Sequence, residues 1–233
     1  MAESIRLDDP ELTVTIRRSA RARRLTLTVP QNGDPPRVTA PPRTPLRDIR
    51  MFLLRQGDWL ARAVARLPEQ TIIADGVVLP VAGVPLRISH HPGPRRAPRI
   101  ANDALILQGG DGAAIAKRVE VWLKERARGQ VTTIARECAE QLGAKIGTIK
   151  MRDTKGQWGA CTHKGDMSFS WRLAMAPADV LDYVAAHEAA HLLEMNHGPQ
   201  FWAHVERLRP QWRDQRNWLK THGGALHRYR FKT

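Results

Sequence analysis

The chain has 233 residues, 42% hydrophobic and 26% charged, the composition of a folded globular protein with one large domain or two small ones; a disordered or fibrous chain is excluded. The net charge of +14 is spread out, with 17 basic against 9 acidic side chains in residues 1–100 and 20 against 14 in 101–233, so it is no detachable basic tail. It predicts either attraction to polyanions such as nucleic acid, with Arg17, Arg18, Arg21, Arg23 and Arg24 the one local cluster, or simply a chain that writes Arg in place of Lys.

No stretch approaches the roughly 18 apolar residues of a membrane span, so no membrane partner is expected. The opening MAESIRLDDPELTV has no apolar run of signal-peptide type. Cys138 and Cys161 form no CxxC pair, which excludes a disulfide scaffold and a zinc ribbon and predicts two free thiols in a reducing cytoplasm.

The first hundred residues read mostly as β. Residues 12–18 and 24–29 alternate apolar and polar side chains, as half-buried strands do, with a turn at 31–36 and a short strand at 37–40. Thr44 as N-cap and Pro45 at the first helical position predict one helix, carrying an apolar stripe of Leu46, Ile49, Phe52, Leu53, Leu60, Val64 and Leu67 and ended by Pro68. Strands are expected again across 71–90, with turns at Asp75-Gly76 and Ala82-Gly83, and at 104–107. From about 113 the texture becomes helical, over 113–144 with Gly129 as a break. Strand-like pieces follow at 146–153, 157–162 and 167–175. Helices are then expected at 177–195, 200–210 and 211–224. The fold expected is α+β, with a β-rich region at 1–110 preceding a second domain at 111–233.

The chemistry concentrates in His187-Glu188-Ala189-Ala190-His191, an HExxH motif. Two histidines four apart lie on one face of a helix, so both rings can reach one zinc ion at about 2.0–2.1 Å. Glu188, one position on, is the general-base candidate for a zinc-activated water. His197 follows ten residues after His187. On an unbroken helix it would stand about 80° around and about 15 Å along, out of reach. A third-ligand role therefore requires the helix to end near Met195-Asn196, and Asn196 with Gly198-Pro199 supplies the turn. Catalytic zinc takes three protein ligands and an open position, and His187, His191 and His197 make three. Glu194, on the face of His187, is the alternative ligand.

The segment Asp182–Trp202, DYVAAHEAAHLLEMNHGPQFW, resembles the zinc-helix signature DYVxxHELxHLxxxNHSxxFW of the YgjP-like metal-dependent hydrolases, relatives of the SprT-like and WLM metallopeptidases. Lys150-Met151-Arg152, Lys155, Trp158-Gly159, Cys161, Trp171-Arg172-Leu173 and Trp218-Leu219 with His222-Gly223 resemble the same family, most specifically over 146–223. Gln157, Ala160, Ala189 and Gly198 depart from its usual Arg, Ser, Leu and Ser; none is a proposed ligand or the base. Metzincins place Gly seven residues after the first histidine, where this chain has Glu194.

The resemblance implies a zincin-like domain, a small sheet packed on the HExxH helix with an edge strand at the cleft. It also implies Zn2+ as cofactor and one of two activities: a metallopeptidase, or a nucleoside triphosphate (UTP) pyrophosphohydrolase or phosphatase. A peptide would add to an edge formed by residues 157–162 or 167–171. A triphosphate would use cations such as Arg172 or the 17–24 cluster. A third reading, a nucleic-acid-binding protein with structural zinc, sits poorly with Glu188, because a structural site needs no base. Tyr183, His163, His204, Arg172 and the amides near Trp158-Gly159 are candidates for stabilising an oxyanion.

Overall fold

The computed structural model describes residues 3–8, 11–30, 34–67 and 69–231. Part of the expected turn at 31–36, and Pro68, lie outside the described residues. Contacts divide the chain into two compact units, Met1–Gln70 and Thr71–Thr233.

In the first unit, β1 (Ser4–Asp8), β2 (Glu11–Arg18), β3 (Thr26–Thr28) and β4 (Arg37–Ala40) form a sheet in the order β1-β2-β4-β3. β2 and β4 run parallel, while β1 and β3 join antiparallel at the edges. β1 carries only two inward apolar residues, Ile5 and Leu7, too short an alternation to be read as a strand alone. The single expected helix is two, α1 (Leu46–Arg55) and α2 (Gly57–Ala65), parted at Gln56, whose N–H turns back to Leu53 O. Pro45, extended at ψ 146°, stands in the N-cap place expected for Thr44. Ile49, Leu53 and Leu60 bury against Ile5, Leu7, Val14, Ile16 and Val38 to make this unit's core.

The second unit begins with β5 (Thr71–Ile72) and a four-stranded sheet of β6 (Val78–Val81), β7 (Val84–His91), β8 (Arg99–Ala101) and β9 (Ala104–Gln108), ordered β6-β7-β9-β8. Ala82 and Gly83, both at positive φ, make the tight turn between β6 and β7. The division between units thus falls at 70/71 and not at the 110/111 expected from texture. The reason is packing: Leu79, Val81, Leu86, Ile88, Leu105 and Leu107 bury against later residues.

α3 (Ile115–Gln141) runs unbroken through Gly129, which faces open space, and ends at Gly143 in a left-handed turn. Its first half, with Ile115, Val119 and Leu123, packs under the four-stranded sheet. Its second half, with Val131, Ala135 and Cys138, joins a further core with β10 (Ile149–Arg152), β11 (Gly159–Cys161), β12 (Met167–Ser170), α4 (Ala178–Ala190) and α5 (Pro199–Leu208). The three strands are ordered β10-β12-β11. The expected strand 167–175 stops at Ser170, and Trp171–Met175 is a 3-10 turn buried on every side. α6 (Trp212–His222), a 3-10 segment Gly223–Arg228 and β13 (Tyr229–Arg230), paired with β5, complete the unit. Among the described residues no helix is long and apolar enough to cross a membrane.

Arg172 holds this ending in place. Its guanidinium is 8% exposed, donates to Leu226 O at 2.9 Å and Tyr229 O at 3.1 Å, pairs with Asp153 at 2.7 Å and lies over Trp171 and Phe231. Arg172→Ala leaves both carbonyls without that donor, and we expect a loss of about 3 kcal/mol in urea denaturation. A loss below about 1 kcal/mol would mean the guanidinium contributes little beyond its pairing with half-exposed Asp153.

Candidate metal centre

α4 is apolar nearly all round, with Val180, Leu181, Val184, Ala185, Ala186 and Ala189 buried, so it forms the interior of its unit. It stops at Ala190, earlier than the expected end near Met195-Asn196. His191 at the C-cap keeps helical angles (φ −67°, ψ −12°), which leaves it one turn above His187 with ring centroids 5.2 Å apart. The chain then reverses. Leu193 and Glu194 donate to Ala190 O at 3.1 Å, Gly198 donates to Asn196 O at 2.8 Å, and Pro199 opens α5.

The reversal returns His197 to His187, Nε2 to Nε2 at 3.1 Å, and sets its ring 4.7 Å from that of His191. One nitrogen from each imidazole lies within 4.8 Å of the others. Ligands of a tetrahedral zinc with bonds of about 2.0–2.1 Å are about 3.3 Å apart, so the set fits a single divalent ion after small ring adjustments. His191 Nδ1 donates to Glu194 O at 2.9 Å, which leaves its Nε2 bare for the cluster, the support that metal-binding histidines commonly have. His187 Nδ1 faces Tyr183 Oη at 3.4 Å. Phe201, fully buried, lies 4.4–4.9 Å from all three rings and forms their floor. Glu194 contributes its backbone carbonyl, and its carboxylate is not part of the cluster.

Burial, then the nearby charges of His191, His197 and Arg216, pushes His187 down to about 3. The same kinds of influence lower His197. Both rings are therefore neutral near pH 7, the form that binds metal. Glu188, only 5% exposed, is pushed up to about 8 by burial. It lies under β11: a Cβ on Gly159 would come within 2.4 Å of its Oε1 and 2.6 Å of its Cγ. Among the described residues β11 pairs with β12 alone, so its other edge carries no strand, and Glu188 lies against its face at Gly159. β12 is paired on both sides, and residues 167–171 are thus no edge for a peptide.

The remaining candidates separate. The guanidinium of Arg172 is already engaged with Asp153 and two carbonyls and is not a free cation for a triphosphate. Tyr183 is buried against His187, on the Nδ1 side away from the cluster. His163 is exposed in the turn before β12, and His222 bonds to Thr221. The cluster Arg17–Arg24 belongs to the first unit. Sequence reasoning gave no role to His227, which is buried 5.3 Å from Trp158 and pushed down to about 4 by burial. It also missed Phe201 as the floor of the rings and the contact of Gly159 with Glu188. A glycine in a strand pattern is the signal for the latter.

The family model described as YgjP-like, metallopeptidase domain, matches residues 23–222. No curated protein matches the chain. A solved structure, the metallopeptidase zymogen of Pyrococcus abyssi abylysin, is similar at 21% identity over 40% of this chain and 95% of that one, with a TM-score of 0.36.

Replacing His187, His191 or His197 by Ala should each lower zinc per chain well below one, read by elemental analysis after dialysis. Full zinc in His197→Ala would show that the third imidazole is not needed. Gly159→Ala should force the Glu188 carboxyl aside and cost about 1–3 kcal/mol of stability while zinc content holds. Unchanged stability would mean that β11 yields freely.

Proposed function

The chain belongs to the YgjP-like family, and on that premise we propose that it is a zinc-dependent metallopeptidase in which His187, His191 and His197 hold the ion and Glu188 is the general base. The observation that carries this reading is a buried carboxyl, without an ion-pair partner among the described residues, beside three converging imidazoles. A structural site would have no use for it.

Bound there, the ion would supply Lewis acidity to the water and to the carbonyl under attack. The chain's own residues do the rest. A bound cation would favour the ionised form of Glu188, and that carboxylate takes a proton from the attacking water and delivers it to the departing amine. The open edge of β11 supports an extended peptide by main-chain hydrogen bonds, and Gly159 keeps that strand close enough to bring the peptide to Glu188. A small sheet with its edge strand against the HExxH helix supports a zincin-like architecture. Two unpaired thiols, Cys138 and Cys161, accord with a cytoplasmic setting. The nucleotide-hydrolase alternative is weakened because Arg172 is already engaged.

Glu188→Gln preserves size but removes the base. Zinc content and melting temperature should stay near native, while hydrolysis of an unfolded protein such as reduced casein falls at least roughly 10²-fold. UTP assayed in parallel, with and without chelator, separates the two activities: chelator-sensitive release of pyrophosphate or phosphate with casein intact would overturn the peptidase reading. A Gln variant as active as wild type would overturn the role of Glu188.

A further inference from the structure

α6 carries a cationic groove whose Arg216 reaches the imidazole cluster through Trp202. Trp202 lies 5.8 Å from the His187 ring and 5.9 Å from the His197 ring, and it stacks on Trp212 at 4.2 Å. The Arg216 guanidinium lies over Trp202 at 5.0 Å and over Trp212 at 5.8 Å. A groove of about 590 Å³ opens beside it, lined by Trp212, Arg213, Arg216, Asn217 and Lys220. Arg213 is matched by Glu206 at 3.1 Å, and Glu206 also accepts from Trp212 Nε1 at 2.8 Å. Arg216 and Lys220, four apart and so on one face of α6, have no carboxylate in ion-pair range among the described residues.

The stacking matters chemically. A guanidinium lying on an aromatic ring uses its face and leaves its in-plane N–H donors free, in the fork that fits a carboxylate. The ring also holds the side chain, so little rotamer freedom is left to lose on binding.

We propose that Arg216 and Lys220 form a substrate subsite next to the metal centre that takes a carboxylate of the bound peptide, giving the enzyme a preference for acidic residues near the scissile bond. This rests on the peptidase reading. The carboxylate has two sources, an Asp or Glu side chain and a free C-terminus.

The test uses the zinc-loaded full chain carrying Glu188→Gln, so that bound peptide is not consumed. Three rhodamine-labelled octapeptides are compared by fluorescence anisotropy: one with two central Glu and an amidated end, its Gln counterpart, and the Gln peptide with a free C-terminus. The Glu peptide should bind about fivefold tighter than the Gln peptide. The difference should vanish in Arg216→Ala/Lys220→Ala and persist in Arg95→Ala/Arg96→Ala, which removes the same charge elsewhere. A gain confined to the free-C-terminus peptide, and lost in Arg216→Ala/Lys220→Ala, assigns the subsite to the chain end. Equal affinity for all three peptides, or a preference surviving in Arg216→Ala/Lys220→Ala, overturns the proposal. Digestion of a peptide library by the unsubstituted protein judges the premise separately. Cleavage without acidic preference defeats the subsite alone, and acidic binding without cleavage defeats the peptidase reading alone.

Discussion

The centre depends on a reversal of the chain directly after His191. Two imidazoles on one helix face can share an ion, but a third needs the backbone to come back over the same turn, and an uninterrupted helix would carry it about 15 Å away. The residues that follow, Leu192 to Met195, are good helix formers, so propensity alone favours continuing. What stops the helix is tertiary. Glu194 O accepts from the His191 ring, Pro199 starts α5, and Phe201 packs beneath the three imidazoles. The far end of α5 is fixed as well, because Arg209 is paired bidentately with Asp182 one turn before His187. The turn carrying His197 is therefore held at both ends, with little freedom left to lose when an ion binds.

Glu188 makes the opposite demand. A carboxyl at 5% exposure without an ion-pair partner among the described residues is a cost to the fold, and a stability-optimised core would put an alanine or leucine there. The fold also gives up a side chain at Gly159 to make room for it. Two sacrifices fall at one point, one on a helix and one on a strand, and packing alone does not explain them. β11, an edge strand of its sheet among the described residues, and the buried carboxyl meet there.

The stacking of His187 and His191 one turn apart was legible in the sequence because helix arithmetic is local: four residues apart is one turn, whatever surrounds it. The helix end was not, since Leu192 to Met195 continue the helical pattern and only Phe201 and the Glu194 carbonyl decide otherwise. Trp171–Met175 read as a strand because its alternation continues that of β12; buried on all sides, it coils into a 3-10 turn instead. β1 and β8 are short edge strands, with too few inward apolar residues to stand out from a loop. Trp212 and Arg216 are four apart on α6, a spacing the sequence shows, but Trp202 comes from α5, and no sequence spacing brings it under them.

The boundary between units has a consequence for the centre. Texture suggested that β6 to β9 belonged to a separate β-rich region, yet they act as a brace for the helix that bears the histidines. The Ala82-Gly83 turn donates to Ala174 O at 2.8 Å and Met175 O at 3.2 Å, at the end of the 3-10 turn just ahead of α4. A Cβ at Gly83 would sit 3.1 Å from Pro177 Cα, so the turn closes on the N-terminus of α4 with no room to spare. Ala82 accepts a left-handed conformation to make that contact. α3 reaches from this sheet to the histidine helix, carrying Val119 and Leu123 in one core and Val131 and Ala135 in the other. The position of His187 is thus set from two directions. From the N-terminal side the four-stranded sheet fixes where α4 begins, and from the C-terminal side Arg209 and Phe201 fix where the chain goes after it ends.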